Sequence, residues 1–316
     1  MIVLWGLPAD RPMRAVRTAL RARDAPACML DQHHVATTAL VLSAGPSLHG
    51  QLQVENELIA LEAVTAVYAR PYDVRRLPAL QQAGSDASLW RHALALDDAL
   101  HAWVEITPAL VVNRPSVMAS NGSKPYQAAL IRAAGLAVPD TLVTTDPDAA
   151  RAFCAHHGSV VYKSTSGVRS IVSRLGPKQQ DRLGDVGNCP TQFQQYVAGT
   201  DCRVHVVGDE IFAAEIVSEA DDYRYADRFG HSTRVRSCRI ETSLANSCRR
   251  LAVALRLPVA GIDLRRTPEG RWYCFEVNPS PGFTFYEQAT GQPIAATIAR
   301  LLVEGRLGPG LAGLSI

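Results

Sequence analysis

The most constraining segment of this chain is residues 260–278, AGIDLRRTPEGRWYCFEVN. Pro268, Glu269 and Gly270 form a turn signal between two runs in which apolar and polar residues alternate. That is the pattern of a β-hairpin with one covered face. Centring the loop on those three residues sets Asp263 opposite Glu276, Arg265 opposite Cys274 and Ile262 opposite Val277. One face then carries Ile262, Leu264, Phe275 and Val277, and the other Asp263, Arg265, Glu276 and Asn278. Directly opposed carboxylates repel and cost stability. A hard cation removes that cost. Asp, Glu and Asn oxygens are what Mg²⁺ takes, with water and phosphate filling its remaining positions. The alternatives are that Arg265 alone neutralises the pair, or that the register is off by one.

Composition bounds what surrounds this hairpin. A length of 316 residues suggests about two domains, at ~150 residues each. With 47% apolar and 20% charged residues, a soluble core is within reach and wholesale disorder is excluded. The net charge of +2 argues against a nucleic-acid binder, which normally carries a strong basic excess. The N-terminal run MIVLWGLPADR has no basic region before it and is too short for a secretory signal. No apolar stretch approaches the ~20 residues that span a bilayer, so no membrane partner is expected. The 7 cysteines are odd in number and contain no C-x-x-C pair. A reduced, cytoplasmic chain is the simplest reading.

Periodicity divides the chain into alternating elements. Residues 2–5 read as a buried strand, followed by a helix opened by Pro12 and ended near Asp24. Short strands are expected at 27–30, 39–42 and 66–69. Leu89, Trp90, Ala93, Leu96, Leu100 and Trp103 share one stripe of a helix over 86–103. Further strands are expected at 110–112, 141–143, 160–163 and 193–197, with helices at 124–134 and 147–157. A first hairpin is expected over 203–217, irregular Arg-rich chain over 221–239, and helices at 244–255 and 291–303. The alternation indicates an α/β class. Boundaries are placed at 1–112, 113–197 and 198–307, with a flexible tail at 308–316.

Several patterns are set aside. Gly308 to Gly313 matches G-x-G-x-x-G but has no helix after it to receive a pyrophosphate. Gly122-Ser123-Lys124 ends like a P-loop but lacks the upstream glycine. The adjacent pairs His33-His34 and His156-His157 read as surface residues. The lysines are more informative. Of 32 basic residues only Lys124, Lys163 and Lys178 are lysine. A site that needs a compact ammonium against a phosphate oxygen does not easily take the broad guanidinium fork.

Phe275-Glu276-Val277-Asn278-Pro279-Ser280-Pro281-Gly282-Phe283, with Asp263 upstream, resembles the metal signature of the ATP-grasp superfamily. The run is most similar to that of the ribosomal-protein glutamate ligases (RimK type). There a similar segment precedes a Glu and a T-G-x-x-I-A stretch, here Glu287 and Thr290-Gly291-Gln292-Pro293-Ile294-Ala295. The resemblance runs from about Asn113 to Arg300. It implies an α+β ATP-grasp fold: an N-terminal α/β pre-ATP-grasp domain, then two subdomains that enclose the nucleotide. It implies ATP and Mg²⁺ as cofactors, with two ions. Lys124 and Lys163 would bind ATP phosphates, Ser164 to Arg169 (with Gly167) would close over them, and Gln194, Gln195, Tyr196 and Val197 would read adenine. Asp201 and Arg203 match a ribose- or metal-side acid and a phosphate-side arginine. Asp263, Glu276 and Asn278 match the magnesium ligands. Arg203 and Arg265 are the catalytic candidates, and Arg224, Ser280 and Glu287 the substrate-binding ones. A narrower resemblance is to the graspetide (microviridin-type) peptide macrocyclases, through Asp222-Tyr223-Arg224 and Ala69-Arg70-Pro71, although Tyr223 stands where Trp is expected.

The implied reaction activates a carboxylate as an acyl phosphate, with release of ADP, and joins it to an amine or hydroxyl of an amino acid or peptide. Positioning and electrostatics carry most of such chemistry. Arg224, Arg228, Arg234, Arg236 and Arg239 could grip substrate carboxylates, although a solvated face is the favoured reading for at least three of the five. Macrocyclisation of a precursor peptide is the alternative. A non-catalytic nucleotide-binding regulatory module is the alternative of a different class. Whether copies of the chain assemble is left open by the sequence.

Overall fold

The computed structural model describes residues 1–45, 47–84, 87–164, 173–218 and 232–305. The chain begins with a parallel four-stranded sheet in the order Ala27–Asp31, Ile2–Gly6, Ala66–Arg70, Leu110–Val112. Its central strands are buried on both faces, so they read as continuous apolar runs. Gly6 ends the first of these strands beside Arg70. A Cβ there would lie 2.6 Å from the Arg70 carbonyl oxygen, so only glycine allows the approach. The helix Arg11–Arg21 starts because the Asp10 carboxylate accepts from the Met13 N–H and Pro12 sits in the first turn. Met13, Val16 and Leu20 lie buried along one stripe of it. The helix Ala87–Ile106 buries Ala93, Leu96, Leu100 and Trp103 on the other face of the sheet, the stripe expected from its period.

A three-stranded antiparallel sheet, Ala39–Ala44, Leu48–Val54 and Glu57–Ala60, completes this first unit. Only its first strand is apolar enough to read in the sequence. The other two, LHGQLQV and ELIA, bury Leu52, Val54 and Ile59 in the core, with Leu48 packed at its edge.

Two antiparallel sheets follow. The smaller has the order Ser173–Arg174, Val160–Ser164, Thr191–Gln195, Thr141–Thr144. Phe193 and Val160 pack beneath the helix Pro147–His157 through Ala150. The larger has the order Thr233–Ser237, Glu210–Ser218, Thr200–Val207, Val259–Arg266, Trp272–Asn278. Its first strand falls inside the segment expected to be irregular. One face of this sheet carries Cys202, Val204, Ile262, Leu264, Cys274 and Val277 against the helix Thr242–Ala254.

The final helices also differ from expectation. A short helix, Thr284–Thr290, ends at Gly291 in the left-handed conformation, and a separate helix runs Ile294–Glu304. Gly291 is therefore a helix stop, not the start of the last helix. The last helix packs on the first: Ile298 and Leu302 share a core with Val16, Leu20, Ile2 and Leu4. The architecture is of the mixed α/β class, with one parallel and three antiparallel sheets among the described residues. Among the described residues no helix is long and apolar enough to cross a membrane.

Candidate functional site

The hairpin Val259–Arg266 with Trp272–Asn278 is formed. Ile262 pairs Val277, Asp263 pairs Glu276, and Gly261 pairs Asn278. Beyond Asp263 the register slips: Leu264 pairs Cys274 and Arg265 pairs Tyr273. Two readings therefore need correction. Arg265 does not face Cys274, and Phe275 is not on the buried face with Ile262 and Leu264. The cause is a β-bulge, in which one strand places two residues against one of its partner and alternation fails locally. Cys274, fully buried, takes the core position. Phe275 instead lies 5.2 Å from the Arg265 guanidinium carbon, ring centroid to cation.

The exposed-side face of the sheet carries a ladder of charges. Asp263 and Glu276, with side chains 27% and 25% exposed, sit directly opposite each other. Arg203 Nη1 donates to Asp263 Oδ1 at 2.5 Å, and Lys124 Nζ donates to Glu276 Oε2 at 2.9 Å. These two cations, not Arg265, balance the carboxylates. Arg265 is committed elsewhere. It grips both oxygens of Asp201, at 2.7 and 3.0 Å, and donates to the Val197 carbonyl at 2.9 Å. Arg265 and Asp201 thus brace the strand end to residue 197, where the expected hinge lies.

Arg203 is only 5% exposed. Its place depends on Gly261, because a Cβ at that position would fall inside the guanidinium and 2.8 Å from the Pro281 Cβ. Arg203 Nε approaches His205 Nε2 at 3.5 Å, and its guanidinium lies 5.7 Å from the Tyr286 ring centroid. Burial first, and the Arg203 charge second, push the His205 imidazole well below its ordinary pKa, so it is neutral.

The back of the hairpin is held by buried amides. Gln127, one turn after Lys124 on the helix Lys124–Ala133, clamps both backbone groups of Val277, at 2.8 and 3.2 Å. Asn113 donates to the Val259 and Pro279 carbonyls and accepts from the Val259 N–H at 3.2 Å. Asn278 Oδ1 accepts from the Ser280 N–H at 2.9 Å, and Ser280 Oγ accepts from Arg70 Nη1 at 2.8 Å. Glu287, expected to meet substrate, accepts from the Ala295 N–H at 2.9 Å. Its carboxylate caps the last helix.

The remaining expected residues sit on the smaller sheet. Lys163 is half-buried and pairs Gln192 across the strands. Gln194 donates to Thr141 Oγ1 at 2.9 Å. The N–H groups of Gln195 and Tyr196 donate to the Asp140 and Ser159 carbonyls. Tyr196 is covered by Arg174, whose guanidinium lies 3.9 Å from the ring centroid. Ser164 ends the strand Val160–Ser164. Gly167 and Arg224, with the loops to which they belong and the tail after Gly305, lie outside the described residues.

Contacts thus pair Lys124 with Glu276, Arg203 with Asp263, Arg265 with Asp201 and Ser280 with Asn278, and the strand register sets these pairs beside one another on the sheet. Sequence reasoning missed Gln127, Asn113, Gly261, His205 and the bond from Arg70 to Ser280. Gln127 had a signal, since it lies three residues from Lys124 on one helix. The others had none, because their partners are distant in sequence. Among the described residues no group of three His, Cys, Asp or Glu could hold a metal. The donor set here is two carboxylates and one carboxamide on adjacent hairpin positions. All three are hard oxygen donors, and they fit Mg²⁺, which keeps water and phosphate as its other ligands.

A family model described as "RimK-like ATP-grasp domain" matches residues 121–302. A "Probable alpha-L-glutamate ligase" of Haemophilus influenzae is 27% identical over 183 residues, covering 54% of this chain and 58% of the relative. The chain spans about half the length of the first curated relatives it matches. Among solved structures, the ATP-grasp ligase PsnB, complexed with a phosphomimetic variant of a minimal precursor, Mg and ADP, is 27% identical with a TM-score of 0.76. That match covers 96% of this chain and 98% of PsnB. The macrocyclase MdnC of Microcystis aeruginosa, bound with the precursor peptide MdnA, has the same fold at 22% identity and a TM-score of 0.81, covering 96% and 99% of the two chains.

Proposed function

The chain belongs to the RimK-like ATP-grasp family, and from that premise we propose that it is an ATP-dependent ligase acting on a peptide. A carboxylate oxygen attacks the γ-phosphorus of ATP and ADP leaves. An amine or a hydroxyl then displaces phosphate from the acyl phosphate and gives up its proton. The observation that carries this reading is the opposed pair Asp263 and Glu276, flanked by Arg203 and Lys124. Asp263, Glu276 and Asn278 would hold magnesium, two ions in this reading. Bound there, magnesium would neutralise charge on the β- and γ-phosphates.

The chain's own residues supply the rest. Lys124 and Lys163 offer compact ammonium groups to phosphate oxygens. Arg203, buried and preorganised by Gly261, His205 and Asp263, stabilises charge developing on the transferred phosphoryl group. Asp201 and Arg265 fix residue 197, so that residues 194–197 face the adenine end. The acyl phosphate must be kept from water until the nucleophile attacks.

Two observations bear on the substrate. PsnB was solved with a minimal precursor, which supports a peptide as the partner here. The match to PsnB, at 27% identity, spans nearly the whole of both chains. On a precursor peptide the bond is either a side-chain amide or ester crosslink, which is macrocyclisation, or the addition of an amino acid, and the mass change separates the two.

Mass spectrometry tests the reading. A Thr-, Lys-, Asp- and Glu-rich peptide is incubated with ATP and magnesium, with its carboxylates labelled with heavy oxygen. Crosslinking removes one water per bond and puts one label into the released phosphate. A glutamyl gain would select single ligation instead. Release of AMP, or phosphate without label, overturns the acyl-phosphate route. Nucleotide binding without turnover on any such peptide selects the regulatory module.

A further inference from the structure

The segment that follows the hairpin is anchored from the far end of the chain. Asp10, the cap of the first helix, accepts from the Met13 N–H at 3.3 Å and from Arg70 Nε at 2.6 Å through the same oxygen. Arg70 closes the central strand Ala66–Arg70 of the parallel sheet, and its side chain is 14% exposed. From there Nη1 donates to Ser280 Oγ at 2.8 Å and to the Pro281 carbonyl at 3.4 Å. The Ser280 N–H in turn donates to Asn278 Oδ1 at 2.9 Å. On the opposite side, Asn113 donates to the Pro279 carbonyl. The four residues Asn278, Pro279, Ser280 and Pro281 are therefore fixed between two side chains from outside the hairpin.

This arrangement does more than pack a loop. A guanidinium is costly to bury, and an aliphatic side chain would fill the space without unsatisfied donors. Arg70 instead carries a fixed geometry from a rigid sheet to one hydroxyl. Its fork reaches Asp10 and Ser280 together, which a lysine cannot do. By its hydroxyl Ser280 is held in place, and its backbone N–H then holds the carboxamide oxygen of Asn278 in one orientation. Hydrogen-bonding partners behind a metal ligand govern how well that ligand binds.

We propose that Arg70 is a positioning residue: through Ser280 it orients the Asn278 carboxamide and so sets the divalent-cation affinity of the Asp263, Glu276 and Asn278 face. The proposal rests on the reading of those three residues as the magnesium site. It makes the N-terminal sheet part of the metal centre without contributing a ligand, and it assigns Ser280 to the relay.

Manganese titration followed by electron paramagnetic resonance tests it on the full chain, with a non-hydrolysable ATP analogue present and no turnover required. Arg70→Lys and Ser280→Ala are each expected to weaken manganese binding about tenfold. Ser280→Thr keeps the hydroxyl and should bind within about twofold of the parent in the same assay. Glu276→Gln serves as the reference for the site itself. An unchanged affinity in Ser280→Ala, with a loss in Glu276→Gln, overturns the relay and leaves the metal site standing. An equal loss in Ser280→Thr and Ser280→Ala also overturns it, since packing and not the hydroxyl would then be at work. No loss in Glu276→Gln refutes the metal site and the relay together. Ser280→Ala removes one oxygen only, so the test stands even where Arg70→Lys fails to fold.

Discussion

The imidazole of His205 is almost completely buried, with its nearest charged neighbour the Arg203 guanidinium and the Tyr286 ring 5.1 Å away between centroids. Arginine has only donors, so His205 Nε2 accepts and the proton sits on Nδ1. Burial and the adjacent cation both oppose a second proton. The consequence for stability has a definite sign. In the unfolded chain His205 titrates near its ordinary value of about 6.5, while the native group stays neutral. As pH falls below that value, the unfolded state gains a proton that the native state does not. Stability is therefore full above pH ~6.5 and falls below it by up to ~1.4 kcal/mol per pH unit. Urea midpoints between neutral and mildly acid pH should show this slope, and His205→Phe should flatten it. An identical slope in both proteins would mean that His205 is protonated in the fold.

At the scale of elements, the two closing helices depend on a contact between them. Thr284–Thr290 presents Glu287, and Glu287 Oε1 accepts from the Ala295 N–H in the first turn of Ile294–Glu304. Proline at 293 gives the last helix no side-chain cap of its own, so Glu287 supplies one. Glu287→Ala should cost about 1 kcal/mol in urea denaturation. KM for the peptide should stay within about twofold, because a cap acts on the folded state and not on bound substrate. A large rise in KM with unchanged stability would return Glu287 to the substrate site. The hairpin shows a second element-level effect. Its bulge leaves Asp263 and Glu276 paired but turns Phe275 toward Arg265, which an unbroken alternation would not have done.

For the whole molecule, the first and last helices share one core. Ile298, fully buried, packs among Val16, Leu20, Ile2 and Leu4 with Phe283 and Val259. The parallel sheet and the large antiparallel sheet are thus joined by apolar contact as well as by Arg70. Ile298→Ala should destabilise the protein by ~2–5 kcal/mol. Because the core is common, fluorescence of the buried Trp5 and Trp103 and far-ultraviolet circular dichroism should shift together in one transition. Two separated transitions would show that the sheets unfold independently.

The sequence by itself determined what depends on near neighbours. Alternation placed Ile262, Asp263, Glu276 and Val277, the 3.6-residue period placed the stripe from Ala93 to Trp103, and turn residues placed the hairpin. These are properties of the local backbone, fixed by sterics and by which face can leave water. The tertiary structure alone decided which strands became neighbours, and with that every charge partner. Arg203 meets Asp263 because Thr200–Val207 lies beside Val259–Arg266, and Arg265 turns to Asp201 for the same reason. Lys124 reaches Glu276 from a helix 152 residues away, and Arg70 reaches Ser280 across 210. A charged side chain finds its partner by proximity in space, and a one-dimensional pattern does not encode that proximity. The bulge that moved Phe275 and Cys274 has the same origin. It leaves Phe275 with no residue opposite it in the ladder, and a bulge goes with a local bend and stronger twist of its strand, which alternation along the hairpin does not encode.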